Sequence, residues 1–521
     1  SLTCQKGHDI VDISLNYARK TMNVCLLLQR RFAYIGHFIA AHLHEKYRVD
    51  NFCAYVYRRQ GLTFLTNQLD VRYSSLLLDE GLHAEYQKEK LDPQYLQWLE
   101  KEFGIPNLWP YIEIDRIIRL NQFVREYPYN KTSFTHEEMM RLIQVRARAI
   151  VAMLEKEKPE VLICSVVGGM GALLLYHIAK KKNVKVFVII PSRLGNTYVI
   201  SEHFSLFTGV EKRFAQLLRE CSSSPRTEDA AAYIEEFRAR PKSVSENLQF
   251  YLDRTSRLKQ MDFLTPKNLT RYYRWLVGSI HEVLFSEERH DYSFVKPWNK
   301  FRDQIMRKLR SLRGISDMYD EIDPSEDFAF FPLHMEPEIS TMLYAPYFTD
   351  QLHVIKQSAR SLPLRFKLYV KEQPSMVEYR KRSFYKELKK IPNVKLIRPN
   401  VSSFTLINHA KLVLTITGTA GWEAALMNKP VITFGEPFYN ALPSVGHCTD
   451  YTQLPQLIQK KLEHPGHDEN QLTQLVASIL EEAVDVNMHQ LWEREPDLEK
   501  KREGIRPLAD ALAKKMGLAP K

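Results

Sequence analysis

The segment LTITGTAGWEAALMNKPVITFG, from Leu414 to Gly435, places a glycine-rich turn between a buried strand and a helix. A helix begins with backbone N–H groups that lack internal partners and with the positive end of its dipole, so its first turn suits a phosphate group. Glycine lets the backbone approach such a ligand closely, and threonine adds a hydroxyl group. The residues that could hold the anion are Thr417, Gly418, Thr419, Ala420 and Gly421.

A carboxylate, Glu423, follows at once in the first turn of the predicted helix. It would repel a phosphate unless it faced another group, and a ribose offers two hydroxyls to a carboxylate. The pattern therefore indicates a nucleotide monophosphate or diphosphate that carries a sugar. One alternative stays open, because Gly418 and Gly421 could serve only the close packing of strand against helix.

Polar residues also end two other predicted strands of the same sheet. Ligands of open α/β sheets bind beyond the carboxyl ends of the strands. After the strand in FKLYVKEQP, Lys371 would supply a cation for phosphate and Gln373 an amide for a base or a sugar. After the aromatic strand in DFAFFPLHMEPE, His334 and Glu338 are further donor-binding candidates, although a lone histidine is more often structural.

Predicted strands alternate with predicted helices along the chain and would position these residues. This alternation predicts an α/β fold with mostly parallel sheets covered on both faces. A chain of 521 residues with 44% hydrophobic residues can form two or three domains. Between the two α/β patterns, apolar strands give way to charged helical patterns. We predict a Rossmann-like domain at 22–208, a helical bridge at 209–323, a second Rossmann-like domain at 324–480 and a helical tail at 481–521.

Two features bear on the cellular compartment. The six cysteines are scattered without disulfide or zinc spacing, and no secretory signal is visible, which favours the cytoplasm. The nearly uncharged stretch VLICSVVGGMGALLLYHIA, from Val161 to Ala179, is about long enough to cross a bilayer. Its β-rich first half and glycine cluster instead predict a buried strand that turns into a helix.

The formal charge of +11 favours anionic partners. In KPWNKFRDQIMRKLRSLR, apolar residues follow one face of a predicted helix and basic residues surround them. Such a helix could lie on anionic lipid, as a peripheral protein would at the inner membrane. The interpretation that we favour is a helix packed between domains with a solvated basic face.

The sequence lacks the motifs of several classes of binding site. No GK[ST] follows a glycine run as a P-loop requires, and the GGMG run at 168–171 is only half of a dinucleotide fingerprint. No D-x-D motif stands at a strand end, so we expect no metal and no cofactor. The basic residues are dispersed without an RNP-like or finger motif, so nucleic acid is not an expected partner.

The second half of the chain resembles glycosyltransferases of the two-Rossmann GT-B architecture, specifically the capsule polysaccharide synthesis family that includes bacterial Kdo transferases. The segments that carry the resemblance are FFPLHMEPE, TDQLHVIKQSARSLP, LYVKEQPSM and TITGTAGWEAALMNKPVITFGEPFY. It implies a CMP- or UDP-linked sugar as donor substrate, held by the carboxy-terminal domain. It also implies a glycan or lipid-linked glycan acceptor, approached from the amino-terminal domain.

The chemistry that the resemblance implies is glycosyl transfer without a metal. A carboxylate must deprotonate the acceptor hydroxyl or attack the anomeric carbon, while cations stabilise the leaving phosphate. Glu202 is the leading carboxylate candidate, with Arg193 as an anion contact. Asp79, beside Glu80 after the strand YSSLLL, is the second candidate.

Two other functions stay open at this point. A nucleotide-sugar epimerase or hydrolase would use the same two-domain cleft without any acceptor. A non-catalytic protein of capsule assembly would bind glycan or lipid through its basic surface and turn over no donor.

Overall fold

The computed structural model describes residues 22–103, 107–122, 132–241 and 266–520. Parts of the predicted amino-terminal domain and helical bridge, and the amino-terminal segment with Cys4, lie outside these ranges. The strands are β1 (Asn23–Leu28), β2 (Asn51–Val56), β3 (Tyr73–Leu78), β4 (Val161–Cys164), β5 (Lys185–Pro191), β6 (Thr197–Ser201), β7 (Phe328–Pro332), β8 (Lys367–Lys371), β9 (Val394–Ile397), β10 (Leu412–Thr415), β11 (Val431–Thr433), β12 (Gly446–His447) and β13 (Val484–Asp485).

The helices of the first half are α1 (Phe32–Tyr47), α2 (Arg59–Thr66), α3 (Asp79–Glu85), α4 (Pro93–Glu102), α5 (Trp109–Glu113), α6 (Arg116–Leu120), α7 (His136–Glu157), α8 (Met170–Lys181), α9 (Thr208–Glu220) and α10 (Thr227–Ala239). Those of the second half are α11 (Pro266–Phe285), α12 (Pro297–Arg313), α13 (Ile339–Met342), α14 (Gln351–Ser361), α15 (Arg382–Lys389), α16 (Ser403–His409), α17 (Thr419–Leu426), α18 (Leu454–Glu463), α19 (Glu469–Glu482) and α20 (Leu498–Met516).

Two sheets organise the molecule. The first has the order β13-β6-β5-β4-β1-β2-β3, and the second has the order β12-β11-β10-β7-β8-β9 with every pair parallel. In each sheet the first strand lies between its second and fourth strands, the strand order of a Rossmann sheet. The predicted α/β class with two Rossmann-like domains is therefore confirmed.

Apolar sequence runs become strands that are buried on both faces, as parallel sheets require. In β1 the residues from Val24 to Leu28 are all buried, and in β10 all four residues are. The stretch from Val161 to Ala179 forms β4 and most of α8, which confirms the strand-to-helix prediction. None of the helices in the described part of the chain combines the length and apolar composition that a bilayer span needs.

The domains are not contiguous in sequence, which differs from the predicted division. Helices α9 and α10 contribute Phe214 and Ile234 to the same core as Trp422 of the second domain. Conversely, β13 pairs with β6, and α20 packs against α1 of the first domain. The side chains of His42, Lys46 and Tyr47 in α1 all reach Asp510 of α20. The predicted helical tail is thus part of the first domain.

Candidate functional site

The candidate site begins where the strand order of the second sheet reverses, between β7 and β10. The strands are neighbours although they are not consecutive in the chain, so the strand order reverses between them. Open α/β sheets bind ligands in the crevice beyond the carboxyl ends of the strands at such a point. His334 follows β7, and the TGTAG turn at 417–421 follows β10. The structure therefore brings two of the predicted segments together.

His334 lies beneath the turn. Its Nε2 atom accepts the Thr417 N–H at 3.2 Å, and its own backbone N–H donates to Gln351 Oε1 at 2.7 Å. Burial, together with the nearby Arg380 charge, lowers the pKa of His334 to about 4. The ring is therefore neutral near pH 7, with Nε2 as acceptor. His334 thus contacts the turn from the protein interior, and its role in donor binding stays a prediction.

The two glycines of the turn are required by packing. A Cβ atom at Gly421 would collide with the Tyr439 hydroxyl and lie 2.9 Å from Thr415 Cγ2. At Gly418, a Cβ atom would lie 3.0 Å from His334 Nε2. Close packing, the alternative left open by the sequence, therefore describes the contacts of both glycines. Their role in phosphate binding stays a prediction.

Most polar groups of the turn already have protein partners. The Gly418 N–H donates to Thr415 Oγ1 at 3.1 Å, and the Tyr439 hydroxyl donates to the Gly418 carbonyl at 2.7 Å. The Thr417 hydroxyl donates to the Ser340 carbonyl at 2.7 Å. The first two N–H groups of α17, at Thr419 and Ala420, have no partner among the described residues, since a helix supplies none there. An anion would therefore meet these two groups.

Lys371 ends β8, next to β7 in the sheet, and its side chain is largely buried. Its Nζ donates to Ser403 Oγ at 2.8 Å. Burial lowers the pKa of Lys371 to about 8, and the negative charge of Glu423 partly opposes that shift. The lysine is still mostly charged at pH 7, and a bound anion would restore its pKa.

Glu423 is 4% exposed in the first half of α17. Its charge acts on the pKa of Lys371, on that of Tyr439 and on that of Tyr233 from α10. The carboxylate is thus near enough to Lys371 for its charge to favour the protonated lysine.

The remaining donor-side candidates lie on the same rim. Gln373 is half-buried after β8, and its backbone N–H donates to Glu372 Oε1 at 2.7 Å. Glu338 is half-buried just before α13 and accepts the Ser340 hydroxyl at 3.3 Å. Both side chains are placed near the crevice, and their role in donor binding stays a prediction.

Sequence reasoning missed an ion cluster that supports this rim. Glu372 is fully buried, lies 2.8 Å from Arg380 Nε and accepts the Tyr385 hydroxyl at 2.7 Å. Arg380 also donates to Glu336 at 3.0 Å and to the His334 carbonyl. Glu372 directly follows the apolar residues of β8. A charged residue in that position could have indicated a buried ion pair from the sequence.

The first domain meets this region through the loops around β6. Phe204 stacks on Tyr344 with ring centroids 6.0 Å apart, and Phe207 stacks on Phe438 at 4.3 Å. Arg193 has a left-handed backbone, with φ of 66°, and is half-buried. Its charge acts on the pKa of Tyr344 and of Tyr439, both in the second domain. The structure therefore places Arg193 at the interdomain cleft, on the side of the turn.

Glu202 lies at the same junction but at the surface. Its backbone N–H donates to Thr208 Oγ1 at 3.1 Å, and its carbonyl accepts the Tyr176 hydroxyl at 3.1 Å, while the residue is exposed. The backbone is fixed two residues from Phe204, and the carboxylate faces solvent. Its catalytic role stays a prediction.

Asp79 is placed differently and cannot reach a substrate. It is fully buried, as is Arg146, whose Nε lies 2.8 Å from Asp79 Oδ1. The hydroxyls of Tyr55 and Tyr292 donate to the same carboxylate. Although burial alone would raise it, these partners and chiefly Arg146 hold the pKa of Asp79 below its ordinary value. The predicted catalytic role of Asp79 is therefore replaced by a structural one.

One protein-family model matches part of the chain. Residues 281–467, from the end of α11 through the whole second sheet to α18, match the model of the family described as capsule polysaccharide biosynthesis protein. The match covers 187 of the 521 residues. It contains every donor-side residue described above.

One curated relative extends over part of the chain. Protein FixF of Sinorhizobium fredii is 28% identical over 165 residues, which is 31% of this chain and 40% of FixF. The match thus spans about two fifths of that relative.

Solved structures align over long stretches at low identity. The β-Kdo 2,7 transferase of Thermosulfurimonas dismutans KpsC is 14% identical, with a TM-score of 0.31, over 73% of this chain and 97% of that one. The UDP-GlcNAc 2-epimerase of Neisseria meningitidis, bound to UDP-GlcNAc, is 11% identical, with a TM-score of 0.23, over 88% of this chain and 99% of that one.

Proposed function

We propose that the chain is a GT-B glycosyltransferase of capsule or lipopolysaccharide synthesis. It would move a sugar, with Kdo or another acidic sugar as the first candidate, from a CMP- or UDP-linked donor to a surface polysaccharide or glycolipid. The family match over 281–467 supports a role in capsule synthesis. Five described cysteines are unpaired, which suits the cytoplasm, where we place the reaction.

The observation that carries the proposal is the position of Lys371. A buried lysine with its pKa lowered to about 8 ends β8, beside the sheet position where the strand order reverses and α17 begins. A lysine is costly to bury, and an anionic ligand would offset that cost. The donor phosphate would lie between Lys371 and the N–H groups of Thr419 and Ala420. Glu423 would orient Lys371 rather than bind the ribose.

Transfer would occur across the cleft. The acceptor oxygen forms the new bond to the anomeric carbon, the bond from that carbon to the phosphate oxygen breaks, and the nucleotide leaves with the electron pair. Glu202 would accept the proton of the acceptor hydroxyl. Arg193, Lys371 and the start of α17 would stabilise the charge of the leaving phosphate, and we propose that no metal takes part.

A nucleotide screen tests the donor site. Calorimetry with CMP, UDP and their sugar conjugates, in the presence of a chelator, should show selective binding of one nucleotide. Glu423→Gln should weaken that binding, because it removes the charge that helps keep Lys371 protonated. Unchanged affinity in this variant, or binding that requires a divalent cation, would contradict the proposed site.

A turnover assay separates transfer from the other open functions. Donor alone should stay intact by NMR, while donor with a capsule-derived oligosaccharide should give a new glycosidic linkage. Epimer formed without acceptor would identify an epimerase instead. Glu202→Gln should lower the rate of transfer and leave nucleotide affinity unchanged, since Glu202 is exposed outside the donor site.

A further inference from the structure

Helix α12 exposes an apolar stripe to solvent. Its members are spaced by three or four residues, so they lie on one face of the helix. They are between 42% and 67% exposed. The stripe consists of Trp298, Phe301, Ile305, Leu309 and Leu312.

The other side of α12 carries the polar contacts to the protein. Arg307 pairs with Glu378 at 2.7 Å, and Arg310 donates to the Tyr379 carbonyl at 2.6 Å. Asp303 is the residue of this helix that is buried. The helix therefore has its polar side inward and its apolar side outward, the reverse of a surface helix in a globular protein. The favoured prediction of a helix with a solvated basic face is wrong.

The preceding helix, α11, extends the exposed apolar surface. Lys300 of α12 donates to Glu282 of α11 at 3.2 Å, which links the two helices. The described side chains of α11 include apolar residues between 38% and 70% exposed. They are Tyr273, Val277, Ile280, Val283, Leu284 and Phe285.

A cationic cavity lies at the carboxyl end of α12. It has a volume of about 660 Å³ and is lined in part by Leu309 and Met306 of that helix. One carboxylate, Glu378, is in its lining. Six basic residues line it, namely Arg310, Arg313, Arg380, Lys381, Arg382 and Arg398.

We propose that the outward faces of α11 and α12, together with this cavity, dock the protein on an anionic membrane. Apolar side chains would enter the boundary between headgroups and acyl chains, and the basic residues beside them would meet lipid phosphates. A second copy of the chain fits less well, because each copy would bring its own cationic cavity to the interface and the formal charge is +11. The outward faces of α11 and α12 contain no residue of the proposed donor site, although Arg380 of the cavity also bonds the His334 carbonyl behind the donor rim.

Vesicle sedimentation of the full chain tests the proposal. The protein should sediment with vesicles that contain one third phosphatidylserine and stay in solution with pure phosphatidylcholine, and added salt should weaken the binding. The double variant Leu309→Glu and Leu312→Glu should lower the partition coefficient at least about tenfold, because two apolar contacts are lost and two charges added. Both side chains are more than half exposed, so folding should be retained.

Matched variants separate this surface from general effects. Leu364 is fully exposed outside the two helices, and Leu364→Glu should leave vesicle binding unchanged. Arg313→Glu should weaken binding about thirtyfold, since about 1 kcal/mol per charge near an anionic surface is lost twice, whereas Arg72→Glu should not weaken it.

Three results would overturn the proposal. The first is equal binding to neutral and anionic vesicles. The second is unchanged binding in the Leu309 and Leu312 double variant. The third is a wild-type protein that does not bind vesicles and is a dimer by light scattering, while the double variant is a monomer.

Discussion

A charged residue is buried at the carboxyl end of β3 and another at the carboxyl end of β8, but the groups that surround the two residues differ. At the end of β3, Asp79 accepts hydrogen bonds from Tyr55, Arg146 and Tyr292. At the end of β8, Lys371 donates to Ser403, its one hydrogen-bond partner within the described ranges.

Tyr292 explains part of this difference. It lies between α11 and α12, stacks on His83 with ring centroids 4.0 Å apart and covers the end of β3. A charge whose partners are all supplied by the protein stabilises the fold. A charge that burial disfavours and that has few protein partners is available to a ligand. Position at a strand end therefore does not identify a binding residue until its partners are known.

The largest effect on stability is expected when Asp79 loses the cation of its buried cluster. Arg146→Met leaves the Asp79 carboxylate buried without its cation, which should lower the free energy of unfolding by about 3–5 kcal/mol in a urea titration. Arg119→Met removes a pair whose two members are each more than one third exposed, and it should cost at most about 1 kcal/mol. A cost for Arg146→Met no larger than that of Arg119→Met would contradict the structural role assigned to Asp79.

Lys371→Met should cost less stability and more affinity. It removes a cation that burial disfavours, which should offset the loss of that charge near the buried Glu423, so the free energy of unfolding should change by less than in Arg146→Met, while nucleotide affinity falls about 10–100-fold by calorimetry. Lys367→Met, at the other end of β8, should change neither quantity. Loss of stability together with unchanged affinity would place Lys371 among the structural residues.

The pH dependence of nucleotide affinity tests whether the Lys371 charge takes part in binding. Because the pKa of Lys371 is about 8, the wild-type protein should lose nucleotide affinity as the pH rises through 8. In Lys371→Met, affinity should be independent of pH between 7 and about 9. A wild-type profile that is flat across this interval would show that the Lys371 charge takes no part in binding.

A smaller effect is expected at the glycine turn. Gly421→Ala adds a methyl group against the Tyr439 hydroxyl and should cost about 1–3 kcal/mol in thermal unfolding. Tyr439→Phe in the same chain should recover part of that loss. Gly278→Ala meets nothing within 4 Å and should be neutral or stabilising. If the alanine at 421 were tolerated and only nucleotide binding fell, the glycine would be a ligand contact after all.

The last effect is a change in the pH dependence of stability at His334, which amounts to less than about 1 kcal/mol between pH 7 and pH 6. Its pKa in the folded protein is about 4, below the ordinary value of 6.5, so the unfolded chain binds the proton more tightly. Its contribution to stability is complete above pH 6.5 and is lost as the pH falls toward 4, by about 1.4 kcal/mol per pH unit. His334→Gln should reduce that slope by one proton in urea titrations at pH 7 to 5. His409→Gln, on the surface, should not change the slope.

Local sequence patterns predicted the strands and helices around the site, because each is encoded by the residue types of one short stretch. The turn between β10 and α17 and the strand-to-helix change after Val161 follow from apolar periodicity and glycine position. The contacts that decide the roles connect distant residues. His334 meets Thr417, and Asp79 meets Arg146 and Tyr292, which no local pattern shows.

The return of β13 and α20 to the first sheet limits how the protein can be divided. A recombinant fragment that stops after residue 208 would lack the strand that pairs with β6 and the Asp510 acceptor of α1. Its counterpart starting at residue 209 would carry α20 without the surface that covers Leu508 and Leu512. Each half would expose apolar residues that the other normally buries, so the two fragments should be obtained in soluble form only when they are co-expressed.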